Sequence, residues 1–178
     1  MKYDLFSNFF YDNQHLFKKH INVNTGTPLK LIQTFSKRLI HRNLPGGILL
    51  MSSLSGLLGM QLIAPYAASK AYLWNLSEAL HYELKSNNID VMACIAGATA
   101  TEAYLKTNPS YGFFRAQVQQ PDDVADLALK NLGKKALFIP GFWNRLNYFI
   151  LLRLLPRRAA GYFQPLRRQH RHAYTDDC

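Results

Sequence analysis

The chain has 178 residues, 48% of them hydrophobic and 18% charged, with 21 lysines and arginines against 11 acids for a net charge of +10. This composition suits one folded domain with a buried core and excludes wholesale disorder. No apolar run reaches the ~18–20 residues that a bilayer-spanning helix needs, and the longest candidate, residues 142–155, is broken by Arg145 and Arg153. The start, Met1-Lys2-Tyr3-Asp4, lacks a continuous apolar signal core. Two cysteines, Cys94 and Cys178, make no disulfide framework, which points to a reducing, cytoplasmic setting.

Residues 13–23 read as a weak helix running into the turn-like string Asn22-Val23-Asn24-Thr25-Gly26-Thr27. Pro28 suits a first helical turn, and Leu29, Leu31, Ile32, Phe35, Leu39 and Ile40 recur at helical spacing over residues 28–42. Asn43-Leu44-Pro45-Gly46-Gly47 ends that helix. Gly47-Ile48-Leu49-Leu50-Met51 is a short continuous apolar run, as in a buried parallel strand. A small and polar loop follows over residues 52–65. Residues 66–86 form a long amphipathic helix whose inner faces Ala67, Ala71, Leu76, Ala79, Leu80 and Leu84 could supply. Residues 89–95 read as a second buried strand, 96–120 as a long loop, and Pro121-Asp122-Asp123 as the start of another helix. Ala136-Leu137-Phe138-Ile139 is a third short strand. Helix, strand, helix, strand, helix, strand predicts an α/β fold with a parallel sheet. Function in such a sheet sits beyond the carboxyl ends of the strands, here residues 52–55, 96–101 and 140–141.

The charge is uneven. Seven of the ten arginines lie at or after Arg145, in a stretch whose acids are Asp176 and Asp177. A solvated amphipathic tail, a polyanion-binding tail and a contact with an anionic membrane face all suit that pattern. No zinc-finger spacing and no aromatic RNA-binding strand accompany it, so nucleic acid is not the expected partner. The six histidines show no ligand spacing, so no metal is expected.

Tyr66 and Lys70 stand four apart at the start of the long helix, which places them on one face about 6 Å apart. A phenol has a pKa near 10, and a neighbouring ammonium favours its ionised form. A tyrosine so placed could exchange a proton with a substrate oxygen. Ser53, 13 residues before Tyr66 and just past the strand, could hydrogen-bond the same oxygen. Spacing alone leaves the bland alternative open, because a tyrosine and a lysine so spaced often merely pack and solvate. Asn24 could equally cap the Pro28 helix, Ser52, Ser55, Thr99 and Thr101 could be loop or cap hydroxyls, and Cys94 reads as a small buried hydrophobe. No Gly-x-Ser-x-Gly elbow occurs, which excludes the usual serine-hydrolase arrangement.

The whole string is more specific. Gly46-Gly47-Ile48-Leu49-Leu50-Met51-Ser52-Ser53-Leu54-Ser55-Gly56, followed by Tyr66-Ala67-Ala68-Ser69-Lys70-Ala71, resembles the short-chain dehydrogenase/reductase family. Asn24 is similar to that family's helix asparagine, and Ala96-Gly97-Ala98-Thr99-Ala100-Thr101 to its Pro-Gly-x-x-x-Thr segment, with Ala96 replacing the proline. The likeness covers about residues 13–140. It implies carbonyl–alcohol interconversion with NAD(P)(H), phosphate preference open. Tyr66 would be the general acid/base. Lys70 would lower its pKa and bind the ribose, Ser53 would polarise the substrate oxygen, and Asn24 would hold a water relay to Lys70. Gly97 and Thr101 would lie against the nicotinamide.

Neither Gly-x-x-x-Gly-x-Gly nor Gly-x-Gly-x-x-Gly, the pyrophosphate cradle, occurs in the sequence. The resemblance therefore implies a partial Rossmann-like three-layer fold with the N-terminal βαβ half missing, an open sheet edge, poor solubility and weak dinucleotide binding. It divides the chain into a catalytic part, 1–140, and a basic amphipathic tail, 141–178. Tyr104, Tyr111, Phe113 and Phe114 favour an apolar carbonyl or alcohol substrate. Helices 28–42 and 66–86 are the expected contact in a homo-oligomer or with full-length relatives. Association without catalysis is the competing reading. The tail reads as a flap, a subunit contact or a peripheral membrane contact.

Overall fold

Among the described residues three parallel strands form one sheet, β1 (Gly46–Ser53), β2 (Ile89–Ala96) and β3 (Leu137–Phe138), in that order. The structure, a computed structural model, describes residues 18–19, 21–60, 63–106, 118–154 and 156. The expectations for residues 13–17, for Tyr111, Phe113 and Phe114, and for the tail beyond 156 lie outside them.

The central strand is the most apolar. Every residue of β2 from Val91 to Cys94 is fully buried. Alternation along a strand sends successive side chains to opposite faces. Met92 and Cys94 meet Val124, Ala128 and Phe138 on one face, so the helix Pro121–Asn131 covers that side. Val91, Ala93 and Ile95 face the other layer, where the helix Ala64–Glu83 packs. The result is an α/β arrangement with helices on both faces of the sheet. Among the described residues β1 pairs with β2 alone.

Helix α1 (Thr27–His41) extends further back than the sequence reading placed it. The string 22–27, expected as a turn, is helical. Asn22–Gly26 forms a π-helical turn, with Gly26 at φ −64° and ψ −43°, in which the Thr27 N–H bonds to the Asn22 carbonyl. Pro28 explains the widening: it has no N–H, and its ring needs room over the carbonyl four residues back.

Helix α2 (Ala64–Glu83) carries Pro65 in its first turn. Its buried positions are Ala67, Ser69, Leu73 and Ser77, and Ala79 is exposed rather than inward. Serines at 69 and 77 let the helix approach closely where bulkier side chains would hold it off. The expected long loop after β2 contains a short helix, α3 (Glu102–Leu105), and returns at Gln119 to form a parallel bridge with Thr99. Helix α4 (Pro121–Asn131) starts as expected, with Asp122 and Asp123 in its first turn facing the positive end of the dipole. Helix α5 (Phe142–Phe149) follows β3 and ends in a π turn, Ile150–Leu154.

Candidate active site

The parallel sheet sends the carboxyl end of β1 toward the start of α2, and two contacts fix how they meet. Ser52, buried at the strand tip, donates from Oγ to the Lys70 carbonyl at 2.7 Å. Gly56 lies so close to α2 that a Cβ on it would stand 2.6 Å from the Ala71 nitrogen and 2.7 Å from the Lys70 carbonyl carbon. Only a residue without a side chain permits that approach. The 3-10 turn Leu54–Gly56 thus carries the serine-rich tip over the first turns of α2.

Three of the residues singled out in the sequence converge there. The Ser53 and Ser55 hydroxyls lie beside the Tyr66 phenol, near enough to pull its pKa down. Ser53 Oγ also accepts from the Ser55 hydroxyl at 2.9 Å and from its N–H at 3.3 Å, which caps the 3-10 turn. Lys70 Nζ stands 5.6 Å from the centroid of the Tyr66 ring and donates to the Met51 carbonyl at 2.9 Å. Ser55 was read as a loop hydroxyl; its partnership with Tyr66 comes from the 3-10 turn, which composition does not announce.

The electrostatics differ from the sequence expectation in sign. Tyr66 is half-buried, and loss of water raises its pKa above the ordinary 10.0, although the Ser53 and Ser55 hydroxyls pull it back. Burial also lowers the pKa of Lys70. At Tyr66 desolvation outweighs the pull of the two serines, and it penalises the charged forms of Tyr66 and Lys70 alike.

Asn24 sits inside the π turn rather than capping a helix, and the residue at the start of α1, Gly26, makes no side-chain cap. Asn24 Nδ2 donates to Ser69 Oγ at 3.3 Å, and Ser69 in turn donates to the Tyr66 carbonyl at 2.8 Å. The asparagine therefore reaches the backbone of the tyrosine through one serine. Cys94 is fully buried in the core, with its thiol pushed up to about 11 by burial.

Gly97 and Thr101 occupy the segment after β2. Thr101 is exposed, and its hydroxyl accepts from the Tyr104 N–H at 3.2 Å as the cap of α3. Thr99 donates to the Gly97 carbonyl at 3.2 Å. Asn144, which the sequence reading missed, is buried against Gly97. Its Nδ2 donates to the Pro140 carbonyl and to Gln119 Oε1, each at 2.9 Å. Pro140 is four residues away but Gln119 is 25, and the burial against Gly97 comes from the fold, so no local signal marks it.

A cleft of about 470 Å³ opens beside Gly56, between α2 and α5, lined by Leu57, Trp74, Asn75, Tyr148, Leu152 and Arg153 among others. Among the described residues no group of three histidine, cysteine or acidic side chains could hold a metal ion.

Residues 6–112 match the family model described as short chain dehydrogenase. The chain is 38% identical over 120 residues to a 7beta-hydroxysteroid dehydrogenase of Clostridium sardiniense, covering 64% of this chain and 46% of that protein. A solved structure described as giving insights into 7beta-hydroxysteroid dehydrogenase stereoselectivity superposes with a TM-score of 0.77 at 23% identity, covering 89% of this chain and 61% of that one. A 4-hydroxyisoleucine dehydrogenase complexed with NADH gives 0.65 at 25% identity, covering 79% and 64%. The chain spans about half the length of the curated relatives it matches. With the family model matched over more than half of its length, the chain belongs to the short-chain dehydrogenase family.

Proposed function

We propose that the chain carries the proton-handling side of a nicotinamide-dependent oxidoreductase acting on a carbonyl or alcohol of an apolar substrate. The observation that carries this reading is the meeting of Ser53, Tyr66 and Lys70 at the tip of β1. The donor set suits a carbonyl oxygen: Ser53 Oγ and Tyr66 Oη polarise it, and Tyr66 gives it a proton in reduction or takes one in oxidation. Lys70 spends one of its three donors on Met51, which leaves two for a ribose hydroxyl and for positive charge beside the phenol. Asn24 supports Tyr66 through Ser69 and extends a proton path toward solvent. Gly97 and Thr101 border the nicotinamide's place. When bound, NAD(P)(H) supplies or accepts the hydride, and which of the two dinucleotides serves is open. The likeness to a 7beta-hydroxysteroid dehydrogenase agrees with a hydrophobic substrate.

The pyrophosphate end has no comparable residues, since the sequence holds no glycine-rich cradle. The reading therefore includes weak dinucleotide binding by these 178 residues alone. Titration with NADPH, followed by nucleotide fluorescence, should give a dissociation constant no tighter than about 1 mM; saturation in the micromolar range refutes this part. The catalytic part is tested separately. A chimera joining the front portion of the Clostridium sardiniense relative to this chain from Asn24 onward should reduce a ketosteroid with NADPH. A folded chimera that binds NADPH yet turns nothing over ends the oxidoreductase reading.

A second reading, association without catalysis, is favoured by the exposed pair Leu31 and Phe35 on one face of α1 together with the edge of β1 that pairs with no described strand. The buried, unpaired thiol of Cys94 agrees with a reducing, cytoplasmic setting. Peripheral contact of the basic tail, residues 141–178, with a membrane belongs to the same functional picture.

A further inference from the structure

We propose that α5 and the turn after it dock on an anionic membrane surface, with Phe142, Phe149 and Leu154 seated among the acyl chains and Arg145 and Arg153 at the headgroups. The proposal deepens the tail's part of the reading above and does not depend on catalysis.

Helix α5 is amphipathic with its apolar side turned outward. Asn144 points into the body and is 3% exposed, whereas Phe142, Trp143, Phe149 and Leu154 are 64%, 55%, 51% and 63% exposed. Phe142 and Phe149 are seven residues apart, two helical turns, and so share a face. Soluble helices put polar groups on that side. Arg145 and Arg153 are exposed on the same segment, and neither pairs with a carboxylate among the described residues. The charge extends well beyond the helix. Between Asp126 and Asp176 the sequence has ten lysines and arginines and no acid.

The combination selects the occupant. A second copy would bring the same positive charge against this face, which opposes self-association there. A polynucleotide would take the arginines but offers no apolar medium for two phenyl rings and a leucine. The interface of an anionic bilayer takes both, rings and leucine below the headgroups and guanidinium groups among them. No described helix is long and apolar enough to cross the bilayer, so the segment lies on it.

Vesicle flotation of the full chain tests this, because aggregates sink and lipid-bound protein rises. The chain should float with phosphatidylcholine vesicles containing phosphatidylglycerol, stay down with phosphatidylcholine alone, and be released by high salt. Phe142→Ser with Phe149→Ser should weaken binding by about tenfold or more, from the lost apolar insertion. Arg145→Gln with Arg153→Gln should weaken it about tenfold on anionic vesicles. All four positions are exposed, so the fold survives either pair. No flotation on anionic vesicles, equal flotation on neutral ones, or flotation unchanged in the phenylalanine pair overturns the proposal. So does binding to duplex DNA that persists in the phenylalanine pair and is lost in the arginine pair, with vesicles failing to compete.

Discussion

Lys70 directs its Nζ to the Met51 carbonyl, 2.9 Å away, and stands 5.6 Å from the centroid of the Tyr66 ring one helical turn earlier. The ammonium is thereby anchored to the strand tip and shares the desolvated ground of the phenol. Burial moves both groups toward their neutral forms, raising Tyr66 and lowering Lys70.

A sign follows for the pH dependence of the proposed reaction. Reduction needs the protonated phenol, and a raised pKa keeps Tyr66 protonated through neutral pH and past the ordinary 10.0. The reductive rate of the cofactor-loaded chimera should therefore be flat through neutrality and fall only in strong alkali. The oxidative rate should climb as the phenol ionises. Tyr66→Phe should cost about 10²–10⁴-fold in kcat in both directions. A reductive limb that falls already below about pH 8 would place the ionising group elsewhere.

The tight contact at Gly56 predicts a stability difference between two glycines of one loop. Gly56→Ala would put a methyl 2.6–3.0 Å from the Lys70 and Ala71 backbone and the Lys70 Cβ, atoms that cannot swing aside. The turn must lift, at about 1–3 kcal/mol, and Ser53 moves with it. A methyl at Gly59 would meet none of the described residues within 4 Å, so Gly59→Ala should change stability by less than about 0.5 kcal/mol. Urea unfolding midpoints of the two variants make the comparison, and equal midpoints would mean that the loop is not held down at Gly56.

Much of this was legible in the chain itself, and the reasons for the rest are physical. The continuous apolar run of β2 reflects burial on both faces, whereas β1, read the same way, has only Leu50 and Ser52 buried and leaves Met51 44% exposed. Tyr66 and Lys70 could be placed on one helical face from their spacing. Their protonation could not, because desolvation depends on what folds over them. Gly26 and Pro28 look like breakers locally, yet the helix runs through them by widening into a π turn, and Asn24 lands inside it rather than at a cap. The close-packed side of α2 is written partly in serines, Ser69 and Ser77, which a search for apolar residues passes over. Asn144 and Gln119 meet across 25 residues of chain, and no periodicity brings such a pair forward.

The exposed pair on α1 offers a direct test of association. Leu31 and Phe35 are one turn apart on one face and about half exposed. Patches of this kind on one face mark contact surfaces. The chain should sediment as a dimer or larger species in velocity ultracentrifugation, and Leu31→Glu with Phe35→Glu should shift it toward monomer. If the double variant sediments like the parent, α1 is not the contact.

The pairing of Asn144 with Gly97 is best measured as a coupling. Asn144 Nδ2 would be 2.5 Å and its Oδ1 2.7 Å from a Cβ on Gly97, so Gly97→Ala alone must displace a buried, doubly bonded amide. Asn144→Ala alone leaves the Pro140 carbonyl and Gln119 Oε1 without that donor, at a cost of about 1–3 kcal/mol. In the double variant the alanine at 97 finds the space that the amide vacated. The combined loss should then be smaller than the sum of the two single losses by about 1 kcal/mol or more. Thermal or urea unfolding of the four proteins closes the cycle. Strict additivity would show that α5 does not brace the segment holding Gly97 and Thr101, and would remove the link between the basic tail and the proposed nicotinamide side of the site.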